Sequence, residues 1–308
     1  MSYRIIEQRL ARGEVVLLDG ATGTELERRG AVMSDEAWCA PATLTHGHIL
    51  RAIHDDYIAA GSDLITANTY GSSPYLLDHY GKLDDLAIID RRAVEIAREA
   101  ADAAGRDVAV AASFSVMRPA VKGTDLSMDV HWTPARARDI CARKADGLAA
   151  AGADLIAMEM MRDIDHSLWA TEAAVATGLP VFAGISAVRG KDGSLRAYER
   201  TEFSYAEVVK ALTGLGVAAC LVMHSAIEDT ADAIAEIKSV WSGPVGAYPE
   251  SGFFEMPSWR FVDIIPPADF ATRADSWRGA GAQFLGGCCG TGPEHIRALA
   301  GMLGRRLG

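Results

Sequence analysis

The chain has 308 residues, is 49% hydrophobic and carries a formal net charge of −11. This length and apolar content support a large core without disulfide staples, and the acidic balance excludes nucleic acid and anionic membrane as expected partners. No run of about eighteen apolar residues occurs, and the amphipathic N-terminus "MSYRIIEQRLARGE" lacks the apolar centre of a signal peptide, so a cytoplasmic protein with reduced thiols is expected.

The first predicted strand is "EVVLLDG" (14–20). It runs into the glycine-bearing turn "DGATGTELERRG" (19–30) and an irregular loop over 31–44. A helical pattern over 45–61 precedes a strand over 62–70, and a second over 84–105 precedes a strand over 107–115. A long loop (117–134) leads to a helix over 133–152 and a strand over 153–161. Further strands follow over 179–187, 216–224, 243–250 and 281–289, with helices over 204–216 and 293–306 and a long loop over 248–270. The strands are nearly continuously apolar, as strands covered on both faces are. Gly61, Gly105, Gly152, Gly216 and Gly281 stand where helix C-caps belong. Eight strands alternating with helices predict a single-domain (β/α)8 TIM barrel over 1–308. A doubly wound sheet is the alternative, but GxGxxG is absent after the first strand. The three long loops leave the C-terminal strand ends, where barrel enzymes build their sites.

Those strand ends carry Asp19, Asn68, Thr69, Ser113, Glu159, Cys220, His224, Glu250, Cys288 and Cys289. In "GGCCGT" (286–291) two cysteines adjoin within a glycine-rich turn, so both sulfurs can reach one metal where the strand ends. Cys220 is the expected third sulfur, and three thiolates with an open fourth position describe a catalytic zinc. A vicinal disulfide or inert buried thiols are the competing readings of Cys288 and Cys289; inert burial suits Cys39 and Cys141. His224 reads as a hydrogen-bonded histidine at the rim, with metal ligation or proton carriage as alternatives. Glu250 reads equally as a contact for a cation or a solvated carboxylate.

From about residue 14 to 304 the sequence resembles the homocysteine S-methyltransferase family, most specifically in "GGCCGTGPEHI" (286–296), "DGATGTEL" (19–26) and "ITANTY" (65–70). The resemblance implies a homocysteine-binding barrel with zinc held by Cys220, Cys288 and Cys289. It implies that Asp19 and Glu159 receive the acceptor's ammonium, and that the Gly20, Thr22 and Gly23 turn holds its carboxylate. Zinc would keep the acceptor sulfur deprotonated, with methionine the product. Four departures from the family pattern stand at substrate-facing positions. They are "AASFSVMRP" (111–119), Ala219 before Cys220 where Asn is usual, Met160 in place of Thr, and "YPESG" (248–252).

The family's donors are onium cations such as S-methylmethionine or betaine, which aromatic faces suit. Trp38, Tyr70, Tyr75, Phe114, Trp132, Tyr248, Phe254 and Trp259 are the candidates. The short C-terminus is closer to S-methylmethionine-type enzymes; self-association into a homo-oligomer stays open. Two other functions fit the same residues. One is a homocysteine-activating module that takes its methyl group from a separate corrinoid protein. The other is a non-catalytic protein responding to zinc or thiols.

Overall fold

The computed structural model describes residues 3–121, 124, 126–128, 130–255 and 260–307. Eight parallel strands form one sheet. They are β1 (Val16–Leu17), β2 (Leu64–Ala67), β3 (Ala109–Ser115), β4 (Leu155–Met161), β5 (Val181–Ile185), β6 (Ala219–Met223), β7 (Val245–Tyr248) and β8 (Phe284–Leu285). Their order, β1-β8-β7-β6-β5-β4-β3-β2, brings the first and second strands to the two ends of the sheet. A seam joins those ends. The Asp63 amide donates to the Leu17 carbonyl at 2.7 Å, and the Leu17 amide donates back to the Asp63 carboxylate at 2.9 Å. The same carboxylate takes Arg9 at 2.9 Å and Arg305 at 2.7 Å. The result is the expected (β/α)8 barrel, nearly closed.

Strand alternation divides the core into two layers. Val16, Leu18, Leu64, Ala109, Ala111, Leu155, Ala157, Phe182, Ala219, Leu221 and Phe284 fill the barrel interior. Their neighbours Leu17, Ile65, Val110, Ile156, Val181, Cys220 and Val222 face the helices. The helix Tyr3–Ala11 plugs the N-terminal mouth with Ile6, and Tyr3 packs 6.2 Å from the Phe182 ring. Only the opposite mouth is therefore available for a site. The five anticipated C-cap glycines all adopt positive φ, the left-handed geometry that ends a helix beside the next strand.

Two hairpins depart from the sequence reading. The run over 179–187 ends its barrel strand at Ile185, and Ala187–Arg189 pairs instead with Leu195–Ala197. The loop after β7 contains a second hairpin, Phe253–Glu255 with Arg260–Val262. Both lie outside the barrel sheet.

Candidate active site

At the C-terminal mouth a cavity of about 630 Å³ collects Asp19, Thr66, Ser113, Glu159, Met160, Arg162, Met223, His224, Tyr248, Cys288 and Cys289. Three local turns bring adjacent side chains inward together. His224 follows β6 with φ of +44°, and Met160 interrupts β4 with φ of +58°. Without those left-handed residues, Met223 and His224, or Glu159 and Met160, would point to opposite faces. Trp38, at φ of +45°, lays its indole over Gly23, where a Cβ would collide with the ring. Among the described residues only four non-glycines have positive φ, and these three all line the cavity, so the strain is concentrated at the mouth.

The turn after β8 delivers the two cysteines. Cys288 donates its amide to the Pro249 carbonyl at 2.9 Å, and the Cys289 carbonyl accepts from the Ser251 amide at 3.0 Å. Gly290, at φ of +78°, completes the turn. The Cys288 sulfur lies 3.9 Å from that of Cys289 and 3.8 Å from His224 Nδ1. Ligand atoms of these three residues lie within 4.8 Å of one another, so they can converge on one metal ion. Glu250 adds a carboxylate oxygen 3.5 Å from His224 Nδ1. Burial opposes charge on His224, but the Cys288 sulfur and the Glu250 carboxylate outweigh it and raise its pKa to about 9. Cys289 and burial together push the Cys288 thiol well above its usual range.

Cys220 does not belong to this group, and the expected cysteine trio is corrected accordingly. It occupies the second position of β6, in register with Val245 at the start of β7. Its side chain faces the helix layer, close enough to Tyr205 to bear on that hydroxyl. His224 comes four residues later, about 13 Å farther along an extended chain. Burial among apolar groups alone raises the Cys220 pKa.

A carboxyl pair stands beside the sulfur–imidazole group. Asp19 accepts the Thr66 amide at 2.6 Å and the Thr66 hydroxyl at 2.9 Å. Glu159 accepts from the Ser113 hydroxyl and from Tyr248. Burial raises both carboxyls to about 7, against the hydrogen bonds that favour their charged forms. Gly20 has no room for a Cβ, which would lie 2.6 Å from the Thr291 carbonyl and 2.8 Å from the Tyr57 hydroxyl. This close approach fixes the Gly20–Gly23 turn against the cysteine loop.

The remaining predicted residues divide. Gly20, Thr22, Gly23, Trp38, Asn68, Tyr70 and Tyr248 line the cavity. Asn68 also ties down the 37–43 loop, donating to the Cys39 carbonyl and the Thr43 hydroxyl at 3.0 Å each. Thr69 is a correction: it lies behind the cavity wall, its hydroxyl donating to the Ser113 carbonyl at 2.7 Å. Phe114 is another, because alternation along β3 turns it toward the helices. Tyr75 and Trp132 meet edge to face with centroids 5.1 Å apart, outside the cavity lining. Trp259 and the Phe254 side chain fall outside the described residues. Sequence reasoning missed Arg118, Arg162 and Met223; the charged residue directly after an apolar strand was a usable signal for Arg162.

Fold and site together define a (β/α)8-barrel enzyme with a sulfur- and imidazole-lined centre at its C-terminal mouth. The sequence profile of homocysteine S-methyltransferases matches residues 16–303. Homocysteine S-methyltransferase 4 of Zea mays is 30% identical, over 94% of this chain and 89% of that protein. Selenocysteine Se-methyltransferase of Brassica oleracea var. italica is 27% identical, over 96% of this chain and 91% of that protein. The metallated form of the homocysteine methyltransferase MmuM from Escherichia coli superposes with a TM-score of 0.75 at 25% identity, covering 98% and 99% of the two chains. This chain belongs to the homocysteine S-methyltransferase family.

Proposed function

We propose that the protein transfers a methyl group from an onium donor to the thiol of homocysteine, giving methionine, at a zinc site formed by His224, Cys288 and Cys289. The observation that supports this most strongly is the placement of those three ligand atoms within 4.8 Å of one another, in the cavity that also holds Asp19 and Glu159. Tetrahedral zinc with 2.3 Å bonds to sulfur separates its ligands by about 3.8 Å, which the Sγ–Sγ separation of 3.9 Å matches. When bound, zinc supplies a deprotonated acceptor sulfur near neutrality, where a free thiol with a pKa of about 8.5 is mostly protonated.

The chain's own residues do the rest. Asp19 and Glu159 receive the acceptor's ammonium, and the Gly20–Gly23 backbone faces its carboxylate. With both carboxyls near 7, ammonium binding draws them to the charged form and releases protons. Trp38 and Tyr70, edge to face at 6.0 Å, offer aromatic surface to the donor cation. Met160 and Met223 add polarizable sulfur, with Tyr70 Oη donating to Met160 Sδ at 2.9 Å. Transfer forms the acceptor's S–CH3 bond as the donor's onium–CH3 bond breaks, its electron pair staying on the donor heteroatom. In-line placement is then the main catalytic demand. Reduced thiols are required, which suits a cytoplasmic enzyme.

The test is metal analysis followed by product analysis. Reduced protein should hold about one zinc per chain. It should form methionine from homocysteine and one of S-methylmethionine, S-adenosylmethionine, dimethylsulfoniopropionate or betaine. Zinc-loaded protein that yields no methylated product from any of them would overturn the proposal. Selenocysteine offered in parallel as acceptor distinguishes a selenol preference.

A further inference from the structure

We propose that Arg162 is a specificity-determining residue that receives the carboxylate of a zwitterionic methyl donor, a small molecule carrying both a methyl-bearing onium centre and a carboxylate. The inference rests on the methyl-transfer reading and deepens it. Arg162 directly follows β4, three residues after Glu159, is only 3% exposed, and lines the cavity. It shares the cavity lining with Tyr70 and Trp38, the aromatic surface offered to the donor cation. A purely cationic donor brought there offers the guanidinium nothing to pair with. A donor with its own carboxylate gains a charge-assisted contact to it.

The surroundings hold the guanidinium in place. Glu199 Oε2 lies 3.5 Å from Arg162 Nε, and the Glu199 amide donates to the Arg162 carbonyl at 3.3 Å. Glu199 also accepts from Arg118, which reaches Asp163 at 2.7 Å, and from the Ser127 amide at 2.5 Å. Arg118, Arg162, Asp163 and Glu199 balance in charge, so this cluster has no excess negative charge to attract an onium group. A guanidinium has five N–H donors in a planar fork and can serve a protein carboxylate and a ligand carboxylate together. The acceptor needs neither arginine, because Asp19, Glu159 and the Gly20–Gly23 turn already meet its charged groups.

The experiment is calorimetric titration of zinc-loaded protein whose acceptor clamp is filled with 2-aminobutyrate, the acceptor skeleton without its thiol. Dimethylsulfoniopropionate and betaine are compared with trimethylsulfonium and choline, which lack the carboxylate. Wild type should bind at least one carboxylated onium about thirtyfold more tightly than its counterpart, the scale of a charge-assisted hydrogen bond. Arg162→Met should reduce that preference to within about threefold, with 2-aminobutyrate binding unchanged. Arg162→Lys, which keeps the charge and loses the fork, should fall between and serves if the Met variant does not fold. No preference in wild type, or a preference that survives both substitutions, would overturn the role of Arg162. A carboxylate preference that depends on Arg162, found in a protein that transfers no methyl group, would leave this inference standing and remove the proposed reaction instead.

Discussion

Cys220 lies within β6 and His224 just past its end, four residues on, and they serve different layers of the molecule. His224→Ala is expected to abolish stoichiometric zinc binding, and His224→Cys to retain it, both read by metal analysis after dialysis. Cys220→Ala should leave zinc content unchanged and lower stability by about 1 kcal/mol, the scale of a small packing defect behind Tyr205. The carboxyls make a second residue-level prediction. Burial raises Asp19 and Glu159 to about 7 in the folded state, above their unfolded values. Their protonated forms are therefore favoured by folding, and the associated stability is complete below about pH 4 and lost as pH rises to about 7. At pH 8 Glu159→Gln should raise the melting temperature of the ligand-free protein while weakening homocysteine binding about tenfold or more. A melting temperature unchanged between pH 5 and pH 8 in wild type would contradict this account.

The elements that hold the site are less visible in sequence than the strands that carry it. Lys144, fully buried in the helix Pro134–Ala150, donates to the Thr69 and Ser72 carbonyls at 3.0 and 3.2 Å and pairs with Asp90 at 2.8 Å. This pair fixes the 69–73 turn from which Tyr70 enters the cavity. Lys144→Met should cost about 3–5 kcal/mol by leaving Asp90 buried without its cation, measured as a shift in denaturant midpoint, with Lys144→Met/Asp90→Leu recovering part of the loss. Apolar runs marked all eight barrel strands, because two-sided burial imposes a continuous pattern. Strand ends were harder to read, since alternation fails where the backbone turns left-handed at Met160 and His224. Cys220 fits the expected third ligand by residue type but not by strand position. Ala219, standing where the family has Asn, was the sign of the slip: the residues at the strand end are Met223 and His224. Cys288 and Cys289 were legible because glycines announce their turn, whereas the buried ion pairs around Arg162 and Lys144 are purely tertiary.

On the scale of the whole molecule, the barrel is continuous except where β1 meets β2. Asp63 anchors that seam from below through the Leu17 amide, Arg9 and Arg305. Asp63→Ala should therefore cost about 1–3 kcal/mol, because it leaves the buried Leu17 amide without its acceptor and takes one partner from two partly buried guanidiniums. Asp19 fastens the upper end of the same seam, its carboxylate gripping the Thr66 amide and hydroxyl. The residue proposed to receive the acceptor's ammonium thus also latches the first strand to the second. A carboxyl near half-protonation grips an amide less firmly than a full anion does, so the empty barrel can breathe along this line. An ammonium that draws Asp19 to the anion tightens the latch. Deuterium uptake at the Thr66 amide would record it, slowing when the acceptor binds while the amides on the far wall keep their pace. Substrate entry would then be felt as a stiffening of the barrel itself, beginning at its one incomplete joint.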